Sequence, residues 1–166
     1  MTSSSPLTLD DIRSTLATRR LGQYLHIHQS LVSTNSEAMT LAQNGAEDGT
    51  VVVAESQSAG RGRHARTWFS PPGLNLYCSI IVRGLGRGLS LADWLSWVPL
   101  TTALAAAEAV QETAAISLAL KWPNDLLLGE RKVGGILCES SLTLPANPVV
   151  VIGIGLNVNV PGELFP

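Results

Sequence analysis

Glu-Ser-Gln-Ser-Ala-Gly-Arg-Gly-Arg-His-Ala-Arg-Thr-Trp occupies residues 55–68 and dominates the charge pattern of the chain. The β-branched run before it, residues 50–54, predicts a buried strand. Residues 60–66, named here the arginine loop, contain Gly60, Gly62 and three of the chain's 11 cationic side chains. Glycines let backbone N–H groups approach a ligand closely, and guanidinium groups carry planar positive charge. The stretch therefore predicts a loop that closes over a flat anionic group such as a phosphate or an acyl-adenylate.

Three other interpretations of the arginine loop compete with this one. A solvated charged loop is the usual explanation of such a run. A nucleic-acid surface is disfavoured because the net charge is −2 and the chain has no second basic cluster. The spacing Gly60-x-Gly62-x-x-Ala65 also fits a dinucleotide fingerprint, but that motif must open a helix. Pro-Pro-Gly follows at residues 71–73 and no helical period begins, so the dinucleotide interpretation is rejected.

Length and composition favour one globular domain with a sizeable core. The chain has 166 residues, of which 45% are apolar and 14% charged, which excludes a disordered protein. Cys78 and Cys138 lie in apolar runs without the spacing of a disulfide framework or a zinc site. The first residues lack the features of a signal peptide, and no apolar stretch reaches the length of a membrane span. These features predict a cytoplasmic chain with no membrane partner.

The hydrophobic periodicity predicts an α+β fold, in which helices pack on a mixed, largely antiparallel sheet. Predicted strands cover residues 24–31, 50–54, 74–82, 117–122, 126–128, 132–139 and 149–159. Predicted helices begin near Thr8, Thr34 and Ser90 and end near Arg20, Gly45 and Thr113. A flexible turn is predicted over residues 84–88.

Local signals refine the ends and interiors of these helices. The spacing Thr34-x-x-Glu37 predicts a capping box, which is the ordinary structural explanation of Ser33-Thr34-Asn35. Pro99 predicts a kink in the third helix, or its division into two.

Lysine is rare in this chain, which has nine arginines and two lysines. Lys121 and Lys132 lie beside special residues, Trp-Pro-Asn-Asp at 122–125 and the glycine pair at 134–135. A compact ammonium group suits a point contact to a phosphate or a developing oxyanion. We therefore interpret both lysines as candidate site residues rather than ordinary surface residues.

Together these motifs resemble those of biotin–protein ligases in order and approximate spacing over residues 24–160. They are Ser33-Thr34-Asn35, Gln57, Gly60-Arg61-Gly62-Arg63-His64-x-Arg66-x-Trp68, Lys121-Trp122-Pro123-Asn124-Asp125, Lys132-x-Gly134-Gly135-Ile136 and Gly153-Ile154-Gly155-x-Asn157. Each motif alone is weak, but the combination is specific.

The resemblance implies a fold related to class II aminoacyl-tRNA synthetases and a reaction in two steps. Biotin and ATP, with Mg²⁺ expected, first give biotinyl-5′-AMP and pyrophosphate. The adenylate then acylates one lysine of a biotin carboxyl carrier domain and releases AMP. The partners implied are therefore biotin, ATP and the carrier domain, and no nucleic acid. No ligands for the metal are identifiable from the sequence.

The resemblance also assigns roles to single residues. The catalytic residues implied are Lys121, Arg63 and Arg66, with Lys121 contacting the biotin carboxylate and the α-phosphate. The biotin-binding residues implied are Ser33, Thr34, Asn35, Gln57, Gly60, Arg61, Gly62, Lys121, Gly134, Gly135 and Ile136. The nucleotide-binding residues implied are Arg61, Arg63, His64, Arg66, Trp68, Asn124, Lys132 and Asn157.

The chain departs from the family pattern in two respects. Ala65 stands where the family usually has glycine, which narrows the backbone conformations available to the loop. We expect one catalytic domain over residues 1–166, with residues 1–23 as a helical lead-in. We expect neither the family's N-terminal DNA-binding domain nor its C-terminal helices and small β-barrel, and hence weak activity and association through an uncovered apolar face.

Two alternatives to biotin ligation stay open. Lipoate ligases and octanoyltransferases share the fold, and octanoyltransferases need a nucleophilic cysteine or lysine, for which Cys138 is a candidate. A biotin- or nucleotide-binding module without catalysis is the other alternative. Biotin-dependent release of pyrophosphate separates an enzyme from a module.

Overall fold

A seven-stranded sheet forms the centre of the protein. The computed structural model describes residues 6–84, 90–141 and 148–164. The strands are β1 (Leu25–His28), β2 (Val51–Ala54), β3 (Asn75–Arg83), β4 (Ala119–Lys121), β5 (Asp125–Leu128), β6 (Arg131–Ser141) and β7 (Val149–Asn157). Their order across the sheet is β1-β2-β3-β7-β6-β5-β4. β1 and β2 pair in parallel and the other neighbours are antiparallel, so the predicted mixed, largely antiparallel sheet is confirmed.

Helices cover both faces of this sheet, and strand β7 shows how the sequence achieves this. The helices are α1 (Leu9–Thr15), α2 (Thr34–Gln43) and α3 (Leu91–Ala114). Val149 and Val151 pack in one core cluster with side chains of α2, whereas Val150 and Ile152 pack in a second cluster with side chains of α3. Successive side chains of a strand point to opposite faces, and each buried valine or isoleucine contributes about 1.5–3 kcal/mol. The continuous apolar run of β7 thus joins two cores.

The first helix and the first strand are shorter than predicted. α1 ends at Thr15 because Leu16 is extended, with ψ 110°, and its N-terminus has a capping box between Thr8 and Asp11. β1 ends at His28, and the chain beyond it forms a single parallel bridge between Leu31 and Gln57. The predicted continuation of both elements was therefore wrong.

Helix α3 is one element with Pro99 inside it, so of the two predicted alternatives, a kink or a division at Pro99, the division was wrong and the kink stays a prediction. Its start is confirmed, because Ser90 and Asp93 form a reciprocal capping box. Pro99 removes one backbone donor, but Ala103 and Ala107 continue the buried face of the same helix toward the sheet. Packing along that face outweighs the missing hydrogen bond. The turn predicted over residues 84–88 lies, except for Gly84, outside the described residues.

The strands predicted over residues 126–128 and 132–139 are found as β5 and β6, and these two strands form a hairpin around residues 129–131. Gly129 in the turn has φ +59°, a conformation that glycine adopts without strain. The pairing register shifts between Leu126 and Leu127. Such a bulge changes the direction of nearby side chains.

Within the described parts of the chain, no helix is long and apolar enough to cross a membrane.

Candidate functional site

A cavity of about 400 Å³ lies between the N-terminus of α2, the arginine loop and strands β6 and β7. The parallel pairing of β1 and β2 explains why two separate motifs meet there. Parallel strands end at the same edge of a sheet, so the chain after β1, which opens α2, emerges beside the chain after β2, which forms the arginine loop. The Leu31–Gln57 bridge extends this parallel pairing toward the cavity.

Most of the predicted site residues line this cavity. They are Ser33, Thr34, Asn35, Gln57, Arg61, Gly62, Arg63, His64, Arg66, Trp68, Asn124, Lys132, Gly135 and Ile136. The structure therefore brings residues of all six quoted motifs to one place, while the role of each residue stays a prediction.

Part of the cavity lining consists of neutral polar groups around Gln57. Gln57 Oε1 accepts hydrogen bonds from the backbone N–H of Thr34 at 2.8 Å and from its hydroxyl at 3.2 Å. Gln57 Nε2 donates to Ser70 Oγ at 3.0 Å. This side chain is thus oriented by its neighbours, and among the described residues its second N–H has no partner. A neutral ring with N–H and C=O groups matches such a surface.

The predicted capping box at the start of α2 was wrong. Ser33 is the N-cap residue and its side chain makes no capping hydrogen bond. The Thr34 hydroxyl is committed to Gln57 and lies 2.8 Å from Ser79 Oγ, so it is not available to the helix backbone. The tertiary network replaces the local cap, which is consistent with a role for these residues in the site.

Asn35 is buried and links α2 to three strands. Its Oδ1 accepts from Ser79 of β3 at 2.6 Å, and its Nδ2 donates to Leu137 O at 3.2 Å and to Glu139 of β6 at 2.7 Å. Its amide packs against Gly153 of β7, where a side chain could not be accommodated. Both amide protons are therefore used inside the protein. We conclude that Asn35 holds the cavity wall in shape.

The arginine loop contains a short 3₁₀ turn at Arg63–Ala65 that closes on itself. The backbone N–H of Gly62 donates to Arg66 O at 2.7 Å, and that of Arg66 donates to Arg63 O at 3.2 Å. His64 and Ala65 have positive φ values of 55° and 58°. An alanine adopts this left-handed conformation at a cost of about 1–2 kcal/mol.

Two ionic or polar contacts attach the arginine loop to the sheet. Arg61 donates to Glu139 Oε2 at 2.8 Å, and Arg63 donates to Asn124 Oδ1 at 3.2 Å. Asn124 is itself fixed, because its Nδ2 donates to Ile136 O at 2.8 Å. The loop guanidinium groups are thus positioned around the cavity by residues of the sheet and of the turn before β5.

Trp68 packs directly on the glycines of the central strands. A β-carbon on Gly155 would lie 2.7 Å from the indole nitrogen, and one on Gly135 would lie 3.5 Å from the ring. The indole N–H is buried and has no hydrogen-bond partner among the described residues. Glycine is therefore required at residue 155 because the aromatic ring, rather than a β-bulge, occupies the space of a side chain.

Lys132 reaches the same part of the cavity. Its Nζ lies 5.5 Å from the centre of a Trp68 ring, within range of a cation–π interaction. It also forms an ion pair with Asp125 Oδ1 at 2.6 Å. The cavity lining thus contains cationic side chains, those of Lys132 and the loop arginines, as well as the neutral polar groups of Thr34 and Gln57.

Four predicted site residues lie outside the cavity lining. Lys121 is exposed at the end of the edge strand β4, and Asn157 ends β7 opposite Asn75. Gly60 is buried beneath Trp68 and Ser70, and Gly134 packs between Leu126 and Leu156. These four residues do not line the cavity, and their predicted ligand contacts stay predictions.

Several lining residues were not predicted as site residues. They are Thr67, Pro123, Asp125, Leu137, Gly153, Ile154 and Gly155. Asp125, Gly153 and Gly155 belonged to the motifs quoted from the sequence, and the glycine pair signals close approach of another group. Leu137 has no such signal, because its position depends on the pairing of β6 with β7.

The two cysteines do not line the cavity. Burial raises the pKa of the Cys78 and Cys138 thiols to about 12. A nucleophilic cysteine requires thiolate, which is scarce at neutral pH when the pKa is that high. The cysteine-dependent octanoyltransferase alternative is therefore disfavoured.

The biotin/lipoate A/B protein ligase family model matches residues 28–159. The bifunctional ligase/repressor BirA of Bacillus subtilis is 40% identical over 160 residues, covering 96% of this chain and 48% of that protein. The biotin–[acetyl-CoA-carboxylase] ligase of Mycobacterium tuberculosis is 40% identical over 139 residues, covering 81% of this chain and 49% of that protein. The chain thus spans about half the length of these relatives.

Solved structures show the same relationship in three dimensions. The biotin protein ligase of Leishmania major in complex with biotinyl-5-AMP superposes with a TM-score of 0.70 and 32% identity, covering 83% of this chain and 58% of that one. The biotin protein ligase of Aquifex aeolicus in complex with biotin and ATP gives a TM-score of 0.68 and 34% identity, covering 86% of this chain and 56% of that one. With its sequence, its fold and the composition of its cavity all in agreement, this chain belongs to the biotin/lipoate A/B protein ligase family.

Proposed function

We propose that this chain is the catalytic part of a biotin–protein ligase. It would join biotin to AMP at the expense of ATP and then transfer biotin to a lysine of a biotin carboxyl carrier domain. The Mycobacterium tuberculosis relative is a biotin–[acetyl-CoA-carboxylase] ligase, the Bacillus subtilis relative is a bifunctional ligase/repressor, and the solved neighbours are biotin protein ligases in complex with biotinyl-5-AMP or with biotin and ATP. The carrier partner and a cytoplasmic location are parts of the same proposal.

The observation that carries the proposal is that one cavity is lined by both neutral hydrogen-bonding groups and cationic side chains. Thr34 and Gln57 present neutral hydrogen-bonding groups, whereas Lys132 and the loop arginines present positive charge. Biotin has a neutral ureido ring at one end and a carboxylate at the other, and ATP adds phosphates beside that carboxylate. Complementary placement of these groups is what a site for the mixed anhydride requires.

In the first step, a biotin carboxylate oxygen forms a bond to the α-phosphorus of ATP while the bond from that phosphorus to the pyrophosphate oxygen breaks. Negative charge grows on the α-phosphate oxygens during this exchange. Lys132 lines the cavity beside Trp68 and Asp125, which supports a role for it in this step. An ammonium group held there stabilises the developing charge without rearrangement. Lys121, to which the sequence assigned this role, remains the alternative.

In the second step, the neutral amine of the carrier lysine forms an amide bond with the biotinyl carbonyl carbon. The bond from that carbon to the AMP oxygen breaks, and AMP leaves with the electron pair. Until then the anhydride must be protected from water. The arginine loop lies across the cavity and is attached at Glu139 and Asn124, so it is suited to this protection.

Magnesium stays an expectation of the resemblance. Among the described residues, no group of three His, Cys, Asp or Glu side chains could hold a metal ion. The carboxylate in the cavity lining belongs to Asp125, which is paired with Lys132. This donor set does not form a cation cage of its own, and Mg²⁺ is usually bound by one or two carboxylates together with substrate phosphates.

The proposal is tested by measuring pyrophosphate release with ATP and either biotin, lipoate or octanoate. We expect release with biotin and little with the other two acids. Gln57→Leu should raise the biotin concentration needed for half-maximal rate, whereas Gln43→Leu, an exposed glutamine on α2, should not. Pyrophosphate release with lipoate instead of biotin would indicate a lipoate ligase. Biotin binding without pyrophosphate release would indicate a binding module.

A further inference from the structure

Glu139 connects the arginine loop to the wall of the cavity. One oxygen of its carboxylate, Oε2, accepts from Arg61 at 2.8 Å and from Asn35 Nδ2 at 2.7 Å. Glu139 lies on β6, two and four residues beyond Leu137 and Gly135, which line the cavity. Residues at this spacing share one face of a strand. Nothing in the sequence motifs distinguished this glutamate.

The contact to Asn35 makes the position of the carboxylate unusually well defined. An exposed ion pair contributes little, because two flexible side chains must be ordered to form it. Here Asn35 is only 4% exposed and is fixed by Ser79 and by Leu137 O. The glutamate is therefore oriented before Arg61 arrives, so that only the arginine side chain must be ordered.

The contact to Arg61 acts on the start of the loop. Arg61 forms a bridge with Thr67, which closes the loop at its base, and Gly62 donates to Arg66 just inside that bridge. The Arg61 side chain is 46% exposed, so without Glu139 its guanidinium would be free to turn into solvent. The ion pair therefore attaches the base of the loop to the same amide that shapes the cavity.

We propose that Glu139 is a positioning residue that holds the arginine loop over the cavity through Arg61. By accepting from Asn35 and Arg61 together, it couples the shape of the cavity wall to the closure of the loop. The consequence, which rests on the proposed function, is retention of the acyl-adenylate. When the Glu139–Arg61 ion pair is lost, the loop opens more often and the intermediate escapes into solution before transfer.

The effect of the Glu139–Arg61 ion pair on the loop is tested in the ligand-free protein, independently of any reaction. Hydrogen exchange at the backbone N–H groups of Gly62 and Arg66 should be faster in Glu139→Gln, by roughly fivefold for an ion pair of this exposure. Glu130→Gln, which removes the same charge from the exposed β5–β6 turn, should leave this exchange unchanged. Unchanged exchange in Glu139→Gln would overturn the proposal.

The functional consequence is tested by the rate at which biotinyl-AMP leaves the protein. Glu139→Gln and Arg61→Met should each raise this rate by roughly fivefold, and the double variant should raise it no further, since both changes remove one contact. Effects that multiply in the double variant would refute the coupling. If the wild-type chain makes no biotinyl-AMP, the proposed function fails, and the exchange measurement still decides whether Glu139 holds the loop.

Discussion

Asn35 and Gly153 are packed so closely that residue 153 has no room for a side chain. A β-carbon there would lie 2.8 Å from Cγ of Asn35 and closer still to its Oδ1. Because Asn35 is held from several sides, it cannot move away without breaking hydrogen bonds to β3 and β6. Glycine at residue 153 is thus a condition for the buried amide network.

Gly153→Ala should therefore destabilise the protein. Overpacking of a buried position costs about 1–3 kcal/mol in unfolding free energy, and any escape of Asn35 adds the loss of its hydrogen bonds. The measurement is urea-induced unfolding followed by circular dichroism. Gly162→Ala is the matched control, because a β-carbon there meets nothing within 4 Å. Equal stability of the two variants would contradict the packing argument.

Replacement of Lys132 should affect catalysis more than replacement of Lys121. Lys132→Met removes the ammonium group from the cavity and should slow pyrophosphate release by about a hundredfold, the usual effect of losing one group that stabilises developing charge. Lys121→Met provides the comparison, since Lys121 is exposed on the edge strand. The assay is single-turnover pyrophosphate release. A large loss in Lys121→Met with a normal rate in Lys132→Met would restore the role predicted for Lys121 from the sequence.

Ala65→Gly should stabilise the protein. Ala65 has φ +58°, so glycine removes the cost of the left-handed conformation. The gain should be about 0.5–1 kcal/mol, because glycine also increases the entropy of the unfolded chain. Ala59→Gly is the control, since Ala59 is exposed and is not among the residues of positive φ. That change should destabilise the protein by about 0.4–1 kcal/mol, and a loss of stability in Ala65→Gly would count against strain in the loop.

Cys78 and Cys138 should resist alkylation in the folded protein at pH 8. Burial raises the pKa of both thiols to about 12, which leaves almost no thiolate several pH units below that value. Unfolding in urea should lower both pKa values to the ordinary range and make the thiols reactive. Counting modified cysteines by mass spectrometry tests this expectation. Rapid modification of Cys138 with loss of activity would instead indicate a functional thiol.

The sequence predicted the fold class well because its local signals agree with the tertiary structure. The β-branched run of β2 and the capping box at Ser90 are decided within a few residues, and both are found. The ends of elements were less predictable. α1 ends at Thr15, before Arg20. The Thr34 hydroxyl donates to Gln57 instead of capping α2, because contacts distant in sequence compete successfully with local ones.

The site was predictable as a set of motifs but not as a surface. Both lysines lie in characteristic motifs, and the sequence favoured Lys121 for the central role. Lys132 lines the cavity, at a place where β6 pairs with β5 and the register shifts between Leu126 and Leu127, whereas Lys121 does not line it. Strand register depends on pairing between separate segments, so no local pattern distinguishes the two lysines. The same limitation explains why Glu139 was not predicted.

Because Trp68 packs on the central strands and lines the cavity, its intrinsic fluorescence should report on the state of the site. Of the four tryptophans, Trp97 and Trp122 are 64% and 80% exposed, so their fluorescence comes from indole rings in contact with water. The Trp68 indole N–H is instead buried, and Lys132 lies beside the ring. A molecule that enters the cavity must change the polarity around that ring or offer an acceptor to its N–H. Intrinsic fluorescence can therefore follow filling and emptying of the cavity in real time without an attached dye. Trp68→Phe is the reference, because it lacks the tryptophan whose fluorescence should respond.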